Sequence, residues 1–364
     1  MILSNRGDKL ALSLRPQLAD TIVDHFNMKL FCMQSLLLAA LTVILVGVPS
    51  AVAQTYPDRP IRIIVPSPPG STMDNIARFI AEELRTAMGQ PIVIENPPDE
   101  ADMRGRTGPS SQGSTASQAV KRALPDGYTI LLATHTSHAV NPATHHTLSY
   151  DPEKDFVPIA GIIRIPHLLV VRKSFPANNV PELIKLAMDR AENQPLTYGT
   201  DSPSSRVAAE LLKAAGNIVM TAVSYQTAVP ALQDVVGGRV DIFFAEPLAT
   251  AGFVASREVK LLAVTDVARV PLVSDVPTMA EAGFQEVRLV NWAAMFAPAG
   301  TNAAVVARLN REINAILGKP ATKESFQRIG AMPLLMSPPE LRLFLHEEIE
   351  RWKTLARLAR ISMK

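Results

Sequence analysis

The sequence predicts an α/β fold in two doubly wound, mostly parallel lobes. Short β-branched runs alternate with amphipathic helical stretches, the pattern of sheets covered by helices. The alternation comes in two sets, and 364 residues suffice for two separate cores.

The first set opens with Ile61-Arg62-Ile63-Ile64-Val65, a buried strand stopped by Pro66. From Asp74 to Met88 the apolar residues Ile76, Phe79, Ile80, Leu84 and Met88 fall at helical spacing, and Gly89 ends the helix. Ile92-Val93-Ile94 is the next strand. Residues 97–118, rich in Pro, Gly, Ser, Thr and Gln without periodicity, read as a long surface loop, and Tyr128 to Ala133 returns to strand. The second set has strands near His167 to Val171, Leu196 to Tyr198, Ile218 to Val223, Val240 to Phe244 and Leu261 to Val264, with helices between them. The chain closes on a long helix. Ser337-Pro338-Pro339-Glu340 has capping-box spacing, and Leu341, Leu345, Ile349, Trp352, Leu355 and Leu358 form a stripe suited to packing on the protein's own lobe.

With 47% hydrophobic and 19% charged residues the chain can bury a core, and a net charge of +2 without any basic run gives nucleic acid no footprint. The N-terminus reads as an export signal: Met28-Lys29, an apolar run from Leu30 to Val48, then Ala51-Val52-Ala53 as an A-x-A cleavage site before Gln54. The small-residue site and the lack of stop-transfer charges argue against a membrane anchor. Translation is expected to start at Met28, since residues 1–27 are polar and no signal needs them. Cys32, the one cysteine, precedes the apolar run, so no lipid anchor is expected and the mature chain has no thiol.

Four times a strand runs into a cluster of small hydroxyl or glycine residues just before a helix: Gly70-Ser71-Thr72, Thr134 to Ser137 with Thr136 between, Thr200-Asp201-Ser202 to Ser204, and Ser224-Tyr225 to Thr227. Each could be ordinary helix capping. Their recurrence in both halves points instead to one cleft, where free amides, helix dipoles and hydroxyls receive a carboxylate. His135, His138, His145 and His146 suggest a rival metal site or metallohydrolase, but no H-E-x-x-H helix or cysteine ligand accompanies them. A secreted serine hydrolase lacks its G-x-S-x-G elbow. No P-loop or G-x-G-x-x-G anchors a nucleotide, so no cofactor is expected.

Tyr56-Pro57-Asp58-Arg59-Pro60-Ile61-Arg62, followed by Val65-Pro66-Ser67-Pro68-Pro69-Gly70 and Asp74, resembles the opening of the Bug family of tripartite tricarboxylate transporter receptors. The likeness continues in family order through Gly89-Gln90-Pro91 to Asn96, Pro125-Asp126-Gly127, His138-Ala139-Val140-Asn141-Pro142, Tyr150-Asp151-Pro152, Gly237-Gly238-Arg239, Asp275-Val276-Pro277-Thr278 and Ala297-Pro298-Ala299-Gly300-Thr301. The resemblance implies a type II periplasmic binding fold: lobe 1 from 54–158 and 266–364, lobe 2 from 159–265, and a signal segment in 1–53. It implies a monomeric periplasmic receptor, not an enzyme, that closes about a hinge on a small carboxylate (dicarboxylate, tricarboxylate, acidic amino acid or aromatic acid) and passes it to membrane permease subunits.

By the same resemblance the carboxylate lies on the loop Pro66 to Asp74, which includes Pro68, Gly70, Ser71 and Thr72, with further contacts from Thr134 to His138, Thr200 to Ser205 and Tyr225 to Thr227. The chain departs from the family's PFPPGG at Ser67 and Ser71, and from its NRPGAGGN at Asn96-Pro97-Pro98, where about eleven residues are added. Glu246 stands in the family's Phe-Asp-Asn position, and Asp201 replaces a small polar residue. Asp74, Asp201 and Glu246 are candidates to recognise an ammonium group.

Overall fold

A computed structural model describes residues 56–98 and 113–361. The Met28 start, the export segment with its cleavage site after Ala53, and all of the insertion beyond Pro98 lie outside the described residues. Among the described residues no helix is long and apolar enough to cross a membrane.

The first sheet has six strands: β1 (Ile61–Ile64), β2 (Ile92–Glu95), β3 (Thr129–Thr134), β4 (Phe156–Pro166), β10 (Val290–Pro298) and β11 (Met332–Pro333), in the order β11-β4-β10-β3-β1-β2. The second has five: β5 (Leu168–Arg172), β6 (Leu196–Thr200), β7 (Met220–Ser224), β8 (Ile242–Ala245) and β9 (Val259–Val264), in the order β7-β6-β8-β5-β9. Helix α1 (Thr72–Met88) links β1 to β2, and α2 (Ser114–Lys121) precedes β3. After β3 come a π-turn (Thr136–Val140) and the short α3 (Asn141–Thr144). In the second lobe α4 (Val180–Arg190), α5 (Pro203–Gly216), α6 (Ala228–Val236) and α7 (Pro247–Ala255) alternate with the strands. The first lobe ends with α8 (Ala303–Gly318), α9 (Pro320–Gln327) and α10 (Pro338–Leu358).

The two-lobed α/β class is as the sequence predicts, but both sheets are mixed. β1 pairs parallel with β2 and β3, and β6 with β7 and β8. β10 runs antiparallel between β3 and β4, and β5 antiparallel between β8 and β9. These reversed strands are the ones next to the lobe crossings. The chain leaves the first sheet along β4 and comes back along β10, and it enters the second along β5 and leaves along β9, so each of these adjacent pairs runs antiparallel.

The chain leaves the first sheet at Pro166 and enters the second at Leu168, so the expected crossing near residue 158 falls inside β4. Pro158 looks like a strand terminator in sequence. Here it sits beside a register shift in the β4–β10 pairing, where a missing N–H is tolerated. The two crossings are tied together: His167 N–H donates to Thr265 Oγ1 at 2.8 Å, Thr265 N–H to the His167 carbonyl at 3.0 Å, and Leu289 N–H to the Thr265 carbonyl at 3.0 Å.

The expected loop at 97–118 also needs correction, since Ser114 onward is helical. Only Ala116, Ser117 and Val120 of α2 are buried, too few apolar positions to declare a helix by periodicity. The terminal stripe of α10 is buried from Leu341 through Leu355, while Leu358 is exposed. Its Trp352 and the β10 residue Trp292 are both buried, and Trp292 Nε1 donates to Glu348 Oε2 of α10 at 3.0 Å, which leaves the indole N–H satisfied.

Gly161 in β4 lies where a Cβ would meet the Leu334 backbone carbonyl at 2.2 Å. Gly161→Ala is therefore expected to cost roughly 1–3 kcal/mol by overpacking, measured as a lower urea midpoint at unchanged slope.

Candidate functional site

Each parallel strand of the first lobe ends on the same side, and β10, running the other way, brings its first residues there too. Ala293 is the register partner of Thr134, so Asn291 and Trp292 lie at the carboxyl edge of β3. The result is a cavity of about 770 Å³ lined by Pro66–Met73, Asn96–Pro98, Thr134–Thr136, Asn291 and Trp292 from the first lobe and Glu246 from the second, with Gly70 absent from the lining.

Asp74 builds the first wall without facing the cavity. Its carboxylate is buried and accepts from Gly70 N–H at 2.8 Å, Arg78 Nε at 2.9 Å and Asn96 Nδ2 at 3.0 Å. Burial pushes the carboxyl up. The bonds from Arg78, Gly70 and Asn96 and the Arg78 charge outweigh that, and its pKa lies below the ordinary range. Gly70, at φ 81°, supplies the turn that lets its amide reach Asp74. Ser71 caps α1, its Oγ accepting from Asp74 N–H at 3.3 Å, and the first-turn amides of Thr72 and Met73 have no intrahelical acceptor.

Ser137 is also framework. Its Oγ accepts from Thr134 N–H at 3.1 Å and is buried beneath the π-turn, so Thr134, His135 and Thr136 face the cavity instead. In the second lobe Ser202 caps α5 in a reciprocal box with Ser205, and Asp201 accepts from Ser205 Oγ at 2.8 Å. Thr200, Asp201, Ser202 and Tyr225 line a separate cavity of about 280 Å³ that shares Thr136 with the first. Tyr225 OH donates to Asp234 at 2.7 Å; burial and that acceptor push its pKa up to about 12. Thr227 is exposed and lines neither cavity.

Ser204 lies in neither lining, yet it joins the lobes. His135 Nε2 and Ser204 Oγ are 3.1 Å apart, Ser204 Oγ donates to Asn291 Oδ1 at 2.9 Å, and Asn291 Nδ2 donates to Glu246 Oε1 at 2.5 Å. The chain of bonds passes from first lobe to second, back to the first, and again to the second. Burial lowers the His135 pKa to about 3, with a smaller push from His167, so the ring is neutral. Burial raises the Glu246 pKa, opposed by the Asn291 bond and reinforced by the Asp201 charge. Among the described residues no Lys or Arg lines the larger cavity. What these residues offer an anion is amides and hydroxyls.

The histidines expected as a rival metal site do not converge, and among the described residues no three His, Cys, Asp or Glu side chains are placed to hold an ion. His138 is buried against Phe156 and Phe296, and His145 Nδ1 lies 3.1 Å from the Asn141 carbonyl. Sequence reasoning missed Asn291, whose signal is one polar residue inside the apolar run 289–297, and Arg206, one turn into α5.

Residues 76–360 match the profile described as "Tripartite tricarboxylate transporter family receptor". The chain is 30% identical to protein BugT of Bordetella pertussis over 306 residues, 84% of this chain and 90% of that one. Among solved structures it is similar to R. palustris Rpa4515 with adipate (35% identity, TM-score 0.68, 84% of this chain and 99% of that one). A second is MatC from Rhodopseudomonas palustris with bound malate (30% identity, TM-score 0.63, 82% and 99%).

Asp74→Ala strands the Gly70 amide and removes one of the two acceptors of Asn96 Nδ2, an expected loss of roughly 1–3 kcal/mol in unfolding free energy. Because the Asp74 pKa is depressed, the contribution of its charge is complete above the ordinary aspartate range of about 4 and is lost as pH falls below it. Glu246 has the opposite sign: its raised pKa costs stability as pH climbs above about 4. Glu246→Gln should therefore be more stable than the parent at pH 7, with the gap closing near pH 4. Urea titrations at both values check this, and an equal gap at both would contradict it.

Proposed function

Since the chain belongs to the tripartite tricarboxylate transporter receptor family, and is thus a solute receptor rather than an enzyme, we propose that it captures a small carboxylate in the interlobe cleft and delivers it to the membrane subunits of its transporter. The observation that carries this reading is the larger cavity, lined by the first turn of α1, the hydroxyl residues Ser71, Thr72, Thr134 and Thr136, and a neutral His135, with no Lys or Arg among the described lining residues. The similar structures with adipate and malate support an organic acid as cargo. On this reading the protein works as a monomer in the periplasm, exported by cleavage after Ala53.

Closure supplies the coupling. Glu246 and Ser204 come from one lobe, Asn291 and His135 from the other, and an anion seated beside them completes donors that the open lobes present separately. Ligand affinity for the closed form then sets how far the equilibrium moves.

A thermal-shift screen of citrate, succinate, malate, adipate, glutamate and benzoate tests the proposal. At least one acid should raise Tm by several degrees when present at about a hundred times its Kd, a gain of about 2.7 kcal/mol. Small-angle scattering with that acid should show a smaller radius of gyration. A flat screen across all six removes the receptor reading.

A further inference from the structure

Glu246 puts an acid on the wall of a cavity that suits an anion, and no Lys or Arg among the described lining residues balances it. The bonds that hold it have a direction. Ser204 Oγ–H donates to Asn291 Oδ1 at 2.9 Å, so the Ser204 oxygen is left to accept from His135 Nε2–H, and Asn291 Nδ2 donates onward to Glu246 Oε1 at 2.5 Å. Oε1 is thus an acceptor. Oε2 has no hydrogen bond among the described residues and is not shut inside the protein, so it opens on the cavity that Glu246 lines. Few other titratable groups face this carboxyl. Apart from Glu246 itself, His135 is the one titratable side chain in the described lining, and α7, which Glu246 caps, has none. His135 and His167 are kept neutral by burial, at about 3 and about 4. Burial raises the Glu246 pKa, and the Asp201 charge adds to that against the Asn291 bond.

We propose that capture of the organic anion is coupled to a proton on Glu246: the cargo binds with Glu246 as a neutral carboxyl whose Oε2–H donates to the cargo's carboxylate, and where Glu246 is ionised beforehand the cleft takes up one proton from the buffer with each anion. The inference rests on the carboxylate reading given above and states how that site depends on pH. An ionised Glu246 sets two carboxylates against each other in a space with little countercharge, the arrangement in which one of the pair stays protonated. Protonation turns Oε2 from acceptor to donor, and an O–H bond to a carboxylate is among the stronger hydrogen bonds. Oε1 of the neutral carboxyl still accepts from Asn291, so the bonds between the lobes persist. The sign follows: affinity is fullest at low pH and is lost as pH rises through the Glu246 pKa of the empty cleft. An ammonium group at this place would demand the opposite, an ionised Glu246 and no proton taken up.

The test is calorimetry of parent and Glu246→Gln with citrate, succinate, malate, adipate, glutamate and benzoate from pH 5 to pH 9, at each pH in two buffers of different ionisation heat. Glu246→Gln keeps a donor and cannot ionise, and titration of the acid itself cancels between the two proteins. For the tightest acid the ratio of parent Kd to variant Kd should climb toward about tenfold per pH unit at the upper end. Over the same range the difference in heat between buffers should report uptake of up to one proton by the parent and none by the variant. Glu246→Leu should also show no uptake, and should bind at least about tenfold more weakly than Glu246→Gln because the donor is gone. Asp201→Asn should keep the uptake, displaced to lower pH because a like charge is removed. Melting curves of each variant exclude a folding defect. A ratio that does not change with pH, or uptake that survives Glu246→Gln, overturns the proposal and leaves the receptor reading intact. Loss of glutamate alone in Glu246→Gln also overturns it, showing an ionised carboxylate paired with an ammonium group. Failure of all six acids to bind the parent removes both readings together.

Discussion

The chain passes between its two sheets at one place, and those passages govern the geometry of everything above them. His167 and Thr265 exchange backbone and hydroxyl bonds, and Thr265 holds Leu289 on the way back to β10. The strands adjoining the crossings must therefore run beside each other and against their neighbours, which makes both sheets mixed. The reversal of β10 then sets Asn291 and Trp292 at the cleft floor, among loops that follow the parallel strands. A wholly parallel first sheet would have put that segment at the opposite edge.

The cleft handles charge by withholding it. Among the described residues its larger cavity has no Lys or Arg, a histidine kept neutral by burial, and a glutamate whose ionised form is disfavoured. Amides at the start of α1 and short hydroxyl side chains do the solvating instead. Such groups lose little conformational freedom on binding and need no partner acid when the site is empty.

Much of the fold was legible in the sequence because its strands are bounded by unmistakable punctuation, such as Pro66 after β1 and Gly89 after α1. β4 was not, because Pro158 and Gly161 mimic a break while the bulged pairing with β10 absorbs both. Of the residues expected to touch a ligand, Pro68, Ser71, Thr72, Thr134, Thr136 and Glu246 line the larger cavity, and Thr200, Asp201, Ser202 and Tyr225 the smaller. Gly70, Asp74 and Ser137 serve the backbone that shapes those walls, Ser204 bridges the lobes, and Thr227 lies in solvent. Capping and ligand binding use the same residue types, so a hydroxyl next to a helix start leaves the choice open.

From sequence alone follow the α/β class, the number of lobes, the family and the loops that contain the polar groups, because these depend on local periodicity and on short motifs in order. Tertiary structure decided which of those groups face the cleft, that Asp74 is spent on its own loop, and that His135, Ser204, Asn291 and Glu246 meet across the lobes. Burial, direction and partnership arise from residues up to 156 positions apart, between His135 and Asn291, and no local pattern encodes them.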